Sequence, residues 1–172
     1  MNMLMKKMHN ETLYWEVSQS GRRITIEFGV LGVSKEEEEI QLSFLESGKK
    51  LIRKLVEEKV NQGYEHYFDQ REIKVILQNR YDTEDINQFR EKCYALQDTI
   101  NDALLSTGIG FDEGISISEA EAIFFFNVVE VELGLNTILK ELAEQDLEND
   151  VQISYLADVE KYVSLYPERE EF

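Results

Sequence analysis

The chain has 172 residues, of which 42% are hydrophobic, and its formal net charge is −17. That length and hydrophobic content suit one large or two small folded domains and argue against a chain that is disordered throughout. The single cysteine excludes an internal disulfide, no apolar run is long enough to cross a membrane, and the negative charge disfavours nucleic acids and anionic membranes. We therefore expect a cytoplasmic protein.

Residues 1–11 are expected to form a flexible leader. The first eight of them contain all four methionines and two lysines, and the apolar stretch is too short and too interrupted for a signal peptide. A segment of this kind buries little surface, so its removal should hardly affect stability.

The next stretch predicts a small antiparallel sheet crossed by one helix. Apolar residues alternate with polar ones in Leu13–Val17, Ile24–Phe28 and Ile40–Phe44, which is the period of half-buried strands. The period then becomes helical, and one face of the predicted helix carries Leu51, Ile52, Leu55, Val56 and Val60. Gly63 can end the helix in the left-handed conformation, with Tyr64 folding back on the helix end.

This succession of elements resembles the WGR domain; the resemblance covers about residues 12–66, and we expect a WGR-like module over residues 12–68. The matching residues lie in the first strand, after the second strand, before the helix and at the helix end: Tyr14, Trp15, Glu16, Phe28, Gly29, Val30, Leu31, Gly32, Phe44, Glu58, Lys59, Gly63 and Tyr64. WGR domains occur in poly(ADP-ribose) polymerases, where they contact DNA and neighbouring domains, and in bacterial proteins labelled molybdate-metabolism regulators. The chain looks closer to the second group, because nothing in it resembles a polymerase catalytic domain.

The sequence departs from the family where DNA contacts would be expected. Phe28 stands in place of the name-giving tryptophan, and Val30 replaces the arginine whose guanidinium could meet a phosphate. In the loop expected after Gly32, Lys35 is followed by four glutamates, Glu36–Glu39, which would repel a phosphate backbone. We therefore expect DNA binding to be weakened or lost.

One basic cluster lies on the outer face of the predicted helix and consists of Lys49, Lys50, Arg53 and Lys54. These side chains are candidates for binding an anionic group. Glu57 and Glu58 follow one turn later, so the alternative is a helix surface whose charges balance internally.

Residues 72–157 are predicted to form a second domain. Apolar patterns indicate strands around Ile73–Leu77, from Ile115 to Val129 as a pair, and at Val151–Tyr155. Helical spacing indicates helices over Ile86–Ala103 and Leu133–Leu142. The order strand, helix, strand pair, helix, strand is that of the ferredoxin-like split arrangement, so the whole chain is predicted to be an α+β protein.

The remaining residues, 158–172, are expected to be a tail that docks as a short helix. Val159, Tyr162, Val163 and Tyr166 have the required spacing.

The negative charge is concentrated in the second half of the chain. Residues 1–70 carry 10 basic and 12 acidic groups, whereas residues 71–172 carry 8 and 23, a net charge of −15. Such a surface is either a solvated face that promotes solubility or a docking surface for a basic partner.

No set of nucleophile, base and orienting group can be assembled from the sequence. The glycine-rich stretch Thr107–Gly114 leaves a helix and enters a strand, unlike phosphate-binding loops, and is expected to be a plain turn. Cys93 lies on an apolar helix stripe, His9 in the leader and His66 among aromatic residues. Four acids could supply oxygens to a hard cation: Asp98, Asp102, Asp112 and Glu113. They do not have the spacing of a calcium loop, so exposed acids without a metal are the simpler interpretation.

These patterns predict a non-catalytic interaction or regulatory protein that needs no metal or cofactor and binds a protein partner rather than nucleic acid or membrane. The alternative is a small acidic inhibitor or immunity-type protein that binds a basic partner. An enzyme that uses residues 107–114 is the third hypothesis.

Overall fold

The computed structural model describes residues 2–67, 71–78, 86–147, 149, 151–158 and 161–167. The chain divides into two units, Met1–Asp69 and Gln70–Phe172. Each unit contains a five-stranded antiparallel sheet, and three helices complete an α+β protein, as predicted. In the described ranges, no helix is long and apolar enough to span a membrane.

The first unit is one sheet with one helix. Its elements are β1 (Asn2–Lys7), β2 (Thr12–Ser20), β3 (Arg23–Val30), β4 (Ser34–Gln41), α1 (Gly48–Asn61) and β5 (Glu65–Tyr67). The strand order is β4-β3-β2-β1-β5.

The core of the first unit lies between the sheet and α1. Strand residues supply most of its buried part, and the apolar stripe of the helix packs against them: Leu4, Trp15, Val17, Ile24, Ile26 and Leu42 on one side, Leu51, Ile52, Leu55 and Val56 on the other. The helix ends as predicted, with Gly63 at φ +88° and the Tyr64 amide donating to the Lys59 carbonyl at 3.2 Å. Tyr64 packs against the same core.

The leader prediction is wrong, because residues 2–7 form strand β1 between β2 and β5. Leu4 is fully buried opposite Trp15, and Met3 is also buried. A strand this short has too little pattern of its own to be recognised, and its partners lie elsewhere in the chain.

The acidic run was expected in a loop, but Glu36–Glu39 lie within strand β4 at the edge of the first sheet. An edge strand has one open side, and charged side chains there oppose pairing with other chains. The strand ends at Gln41, so Phe44 is not the strand residue that the alternation predicted.

The second unit contains β6 (Arg71–Gln78), α2 (Ile86–Ser106), β7 (Gly110–Ile117), β8 (Glu121–Val128), α3 (Val131–Ala143), β9 (Val151–Asp158) and β10 (Lys161–Tyr166). The sheet order is β10-β9-β6-β8-β7. Four of its five strands, β9-β6-β8-β7, have the antiparallel order of the split ferredoxin-like arrangement, which confirms the predicted fold, and β10 adds a fifth strand beside β9.

The core of the second unit lies between this sheet and the two helices. Alternate residues of β8 are fully buried. Of the stripe that the spacing of α2 predicted, Phe89, Cys93, Leu96 and Ile100 are buried, and Leu104 is buried in addition, whereas Ile86 and Ala103 are half-buried. Ile138 and Leu142 of α3 complete the core.

Two predictions for the second unit are wrong. Residues 110–114 are not a turn but the first part of β7, with a register irregularity between Asp112 and Gly114. The tail is not a helix, since residues 161–166 pair with β9 as strand β10. The spacing of these residues favoured a helix, but pairing with the open edge of β9 gives residues 161–166 backbone hydrogen bonds as a strand instead. Val159 lies outside the described residues.

Candidate interaction surface

Three of the aromatic residues on which the predicted WGR resemblance rests, Trp15, Phe28 and Tyr64, lie in or against the core. Trp15 is 3% exposed and lies directly opposite Phe28. Phe28 and Tyr64 pack against the cluster that contains Trp15. The Lys59 ammonium nitrogen lies 5.9 Å from the Trp15 ring centre and 5.2 Å from that of Tyr64. These aromatic residues therefore pack the core, and Lys59 places a cation beside the rings of Trp15 and Tyr64.

Residues 29–32 comprise the end of β3 and the start of the tight connection to β4. A Cβ on Gly29 would overlap the backbone oxygen of Ser34, and Gly32 has φ +78°. Leu31 is buried, and the Val30 amide donates to Ser34 Oγ at 3.3 Å. The turn itself therefore requires glycine at positions 29 and 32.

Tyr14 and Glu16 lie on the sheet face opposite to Trp15. Tyr14 is 2% exposed, and its hydroxyl has no hydrogen-bond partner among the described residues. Burial, followed by the charges of Glu27 and Glu16, raises the pKa of Tyr14 to about 12. Burial and then Glu27, which lies directly opposite, raise the pKa of Glu16. Lys35 Nζ, 2.7 Å from Glu27 Oε1, offsets part of this negative charge.

The predicted basic cluster lies on the exposed side of α1. Lys49 and Lys50 occupy its first turn. The Arg53 and Lys54 side chains approach two glutamates one turn later, at 3.8 Å from Glu57 Oε1 and 3.6 Å from Glu58 Oε1. Exposed pairs at such distances contribute little to stability. Of the four cluster residues, Arg53 and Lys54 therefore have their charges balanced by glutamates of the same helix, which is the alternative that the sequence suggested.

Sequence reasoning did not identify the exposed pair Phe44 and Leu45. They lie in the connection between β4 and α1, and 89% of Phe44 and 96% of Leu45 are accessible to solvent. Leu42, the residue of the same alternation that precedes them, is buried. The only signal in the sequence was two large apolar residues in succession, which breaks the alternation of the strand.

Hydrogen bonds hold this connection in shape. The Ser43 amide donates to Glu46 Oε2 at 2.6 Å. Hydrogen bonding by Ser43, first through its side chain and then through this amide, lowers the pKa of Glu46. Arg22, in the turn from β2 to β3, donates through Nε and Nη2 to the Leu42 carbonyl at 3.3 and 3.2 Å. The Leu42 amide in turn donates to the Arg22 carbonyl at 2.8 Å.

Arg22 also lies over the exposed aromatic ring. Its guanidinium carbon is 5.0 Å from the centre of the Phe44 ring, within the range of a cation–π contact. We define the loop surface as Arg22, Phe44, Leu45, Lys49 and Lys50. It combines apolar area with cations, and it can bind a partner without carrying out chemistry.

The other candidate residues do not converge on a site. Cys93 is fully buried in the core of the second unit, whereas His9 and His66 are exposed on the first. Asp112 accepts a hydrogen bond from Gln97 Nε2 at 2.8 Å, which ties β7 to α2. Among the residues that the structure describes, no three His, Cys, Asp or Glu side chains gather as a metal-binding group.

Comparison with known proteins gives no relative: no family model, curated protein or solved structure matches this chain.

Proposed function

We propose that this chain is a non-catalytic binding protein whose first unit is a WGR-like module that binds a protein partner rather than DNA. The observation that carries the proposal is the exposure of Phe44 and Leu45 on a loop fixed by hydrogen bonds. Burying apolar area contributes about 25 cal/mol per Å², so a partner that covers both side chains gains free energy. Aromatic residues and arginine are also enriched where interfaces bind most strongly.

The resemblance of about residues 12–66 to the WGR domain supports this proposal. A sheet crossed by one helix that ends at Gly63 and Tyr64 is compatible with that family. The molybdate-metabolism-regulator type remains the group to which we assign the module.

Two features argue that DNA binding is weakened or lost. Val30 has no charge to offer a phosphate and lies half-buried beside the turn to β4. The four glutamates of β4 form the edge of the sheet, where they would repel a polyanion.

A pull-down with the tagged full chain from the native host, after nuclease treatment, tests the proposal. We expect the wild type to recover a protein partner that the variant Phe44→Ser/Leu45→Ser does not recover. The matched control is Tyr94→Ser, which removes an exposed aromatic side chain from α2 of the second unit. Recovery that is lost on nuclease treatment, or that is equal for wild type and double variant, would contradict the proposal.

The alternative is an acidic inhibitor or immunity-type protein that binds a basic partner. It is favoured by the net charge of −15 in residues 71–172 and by exposed carboxylates along α2 and α3, among them Glu91, Asp98, Asp102, Glu132 and Glu144. The same pull-down separates the two functions. A basic partner that the double variant still recovers, and that high salt releases, would support the inhibitor.

A further inference from the structure

We infer that the loop surface binds an acidic protein segment that carries large apolar side chains. This inference rests on the proposed function and adds the chemistry of the partner. It follows from the charges around Phe44 and Leu45, from the bonds that Arg22 leaves open, and from the acidic residues that bound the surface.

Near the start of α1, the cations Arg22, Lys49 and Lys50 outnumber one carboxylate, that of Glu46, which is already hydrogen-bonded to Ser43 and lies near Arg22. The first turn of α1 contains no acidic residue, and the N-cap Ser47 makes no side-chain hydrogen bond to the helix. The helix dipole therefore adds positive charge to that of Lys49 and Lys50. At physiological salt the screening length is about 8 Å, so a ligand here responds to these cations more than to distant carboxylates. Residues 1–70 as a whole carry a net charge of only −2.

Arg22 can link a charged contact with a partner carboxylate to the apolar contact made by Phe44. In the part of the chain that the structure describes, its hydrogen bonds to Leu42 use Nε and Nη2. Nη1 is left to donate to a carboxylate of a partner. The same guanidinium lies over the Phe44 ring. A carboxylate bound to Arg22 would thus lie next to the apolar pair.

The acidic boundary argues for a short protein segment rather than a nucleic acid or a membrane. Next to Arg22, the Arg23 guanidinium is paired with Glu39 of β4 at 3.0 Å, and Glu36–Glu38 continue along that strand. DNA carries one charge per about 1.7 Å and would extend beyond the surface onto these glutamates. An anionic membrane would face the whole chain with its charge of −17. A segment of a few residues covers only the basic and apolar area.

A labelled peptide tests the chemistry directly with the full-length protein. The probe is fluorescein-GDEFDELLDG, followed by fluorescence anisotropy. One comparison peptide has serine in place of Phe and Leu, and another has lysine in place of the acids. We expect the probe to bind about tenfold more tightly than either comparison peptide, and more weakly as salt rises.

Two variants of the protein separate binding from folding. Phe44→Ser/Leu45→Ser changes only exposed side chains, and we expect a loss of about tenfold in affinity. Lys49→Glu/Lys50→Glu places acids in the first turn of α1, where the dipole favours them, so the melting temperature should rise while probe binding is lost. The control Lys7→Glu/Lys161→Glu makes the same change in net charge at two exposed positions that are not part of the loop surface and should leave binding unchanged.

Several results would overturn the inference. One is equal affinity for the probe and for the serine peptide, which would mean that charge alone is recognised. Another is tighter binding of duplex DNA, or of vesicles containing anionic lipid, than of the probe. If the probe does not bind, but recovery of the pull-down partner still requires Phe44 and Leu45, the inference of an acidic partner is wrong and the proposed function stands. If recovery of the partner does not require these two residues, the inference and the proposed function are both wrong.

Discussion

Trp15 and Phe28 lie directly opposite each other on strands β2 and β3, and both pack in the core that α1 covers. The Phe28 ring is therefore used for packing. Among the described residues of the unit, the large aromatic side chain left exposed is that of Phe44, which lies under the Arg22 guanidinium. Surface contact and core packing thus depend on different residues, and each can be tested alone.

Trp15→Ala should strongly destabilise the first unit. The side chain is 3% exposed, and removing a buried tryptophan costs about 3–5 kcal/mol. Because Trp15 is the only tryptophan, urea unfolding of the variant has to be followed by circular dichroism, with Tyr94→Ala as the exposed control. A strongly red-shifted emission of the native wild type would contradict the buried position.

Leu4→Ala should destabilise the same unit by about 2–5 kcal/mol, because a fully buried leucine leaves a cavity. Lys7→Ala, at the exposed end of β1, should stay within about 0.5 kcal/mol of the wild type. Trp15 emission during urea unfolding reports on both. If deleting residues 1–8 leaves the unfolding midpoint unchanged, β1 does not contribute to the fold.

Glu16→Gln should stabilise the first unit at neutral pH. The raised pKa of Glu16 means that the folded state binds its proton more tightly than the unfolded state. Stability is therefore highest below the unfolded value of 4.5 and falls as the pH rises through the folded pKa. Removing a like charge directly opposite Glu27 should gain about 0.2–1 kcal/mol.

Urea unfolding at neutral pH and below the unfolded pKa of Glu16 checks the sign. The gain from Glu16→Gln should shrink at the lower pH, because Glu16 is then protonated in both states. Glu38→Gln, opposite Ile26, is the control for loss of one negative charge. An equal gain at both pH values would show that charge is not the cause.

Duplex DNA should bind more weakly than the roughly 10⁻⁴ to 10⁻⁶ M that is usual for non-specific binding at physiological salt. Val30 offers no charge, and the glutamates of β4 oppose the approach of phosphates. Fluorescence anisotropy with intact and nicked duplexes at low and physiological salt is the measurement. Micromolar affinity that persists at physiological salt, above all for the nick, would show that the module has kept a DNA-binding function.

Periodicity alone was enough to predict the elements with long, strongly patterned sequences. The spacing from Ile86 to Ala103 predicted α2, and the pattern from Leu51 to Gly63 predicted α1 and its end. The order of elements after residue 71 was enough for the ferredoxin-like arrangement. These predictions succeeded because a helix or strand that buries one face repeats its apolar residues at a characteristic local spacing.

Pairing between distant strands was decided only by the tertiary structure. Strand β1 pairs with β2 and β5, and β10 pairs with β9. Each of these two short strands depends on its partners, and its own sequence is too short to show a strand pattern. Four consecutive glutamates in β4 are accommodated because the strand lies at an edge.

The exposure of the loop surface was also decided only by the tertiary structure. The alternation through Ile40 and Leu42 predicted that Phe44 would continue a strand, but the bonds between Ser43 and Glu46 form a turn there. The contacts of Arg22 with Leu42 then fix where that turn lies. Local spacing can specify which residues are apolar, but whether an apolar side chain is covered depends on how segments distant in sequence meet, and here that leaves Phe44 and Leu45 in solvent.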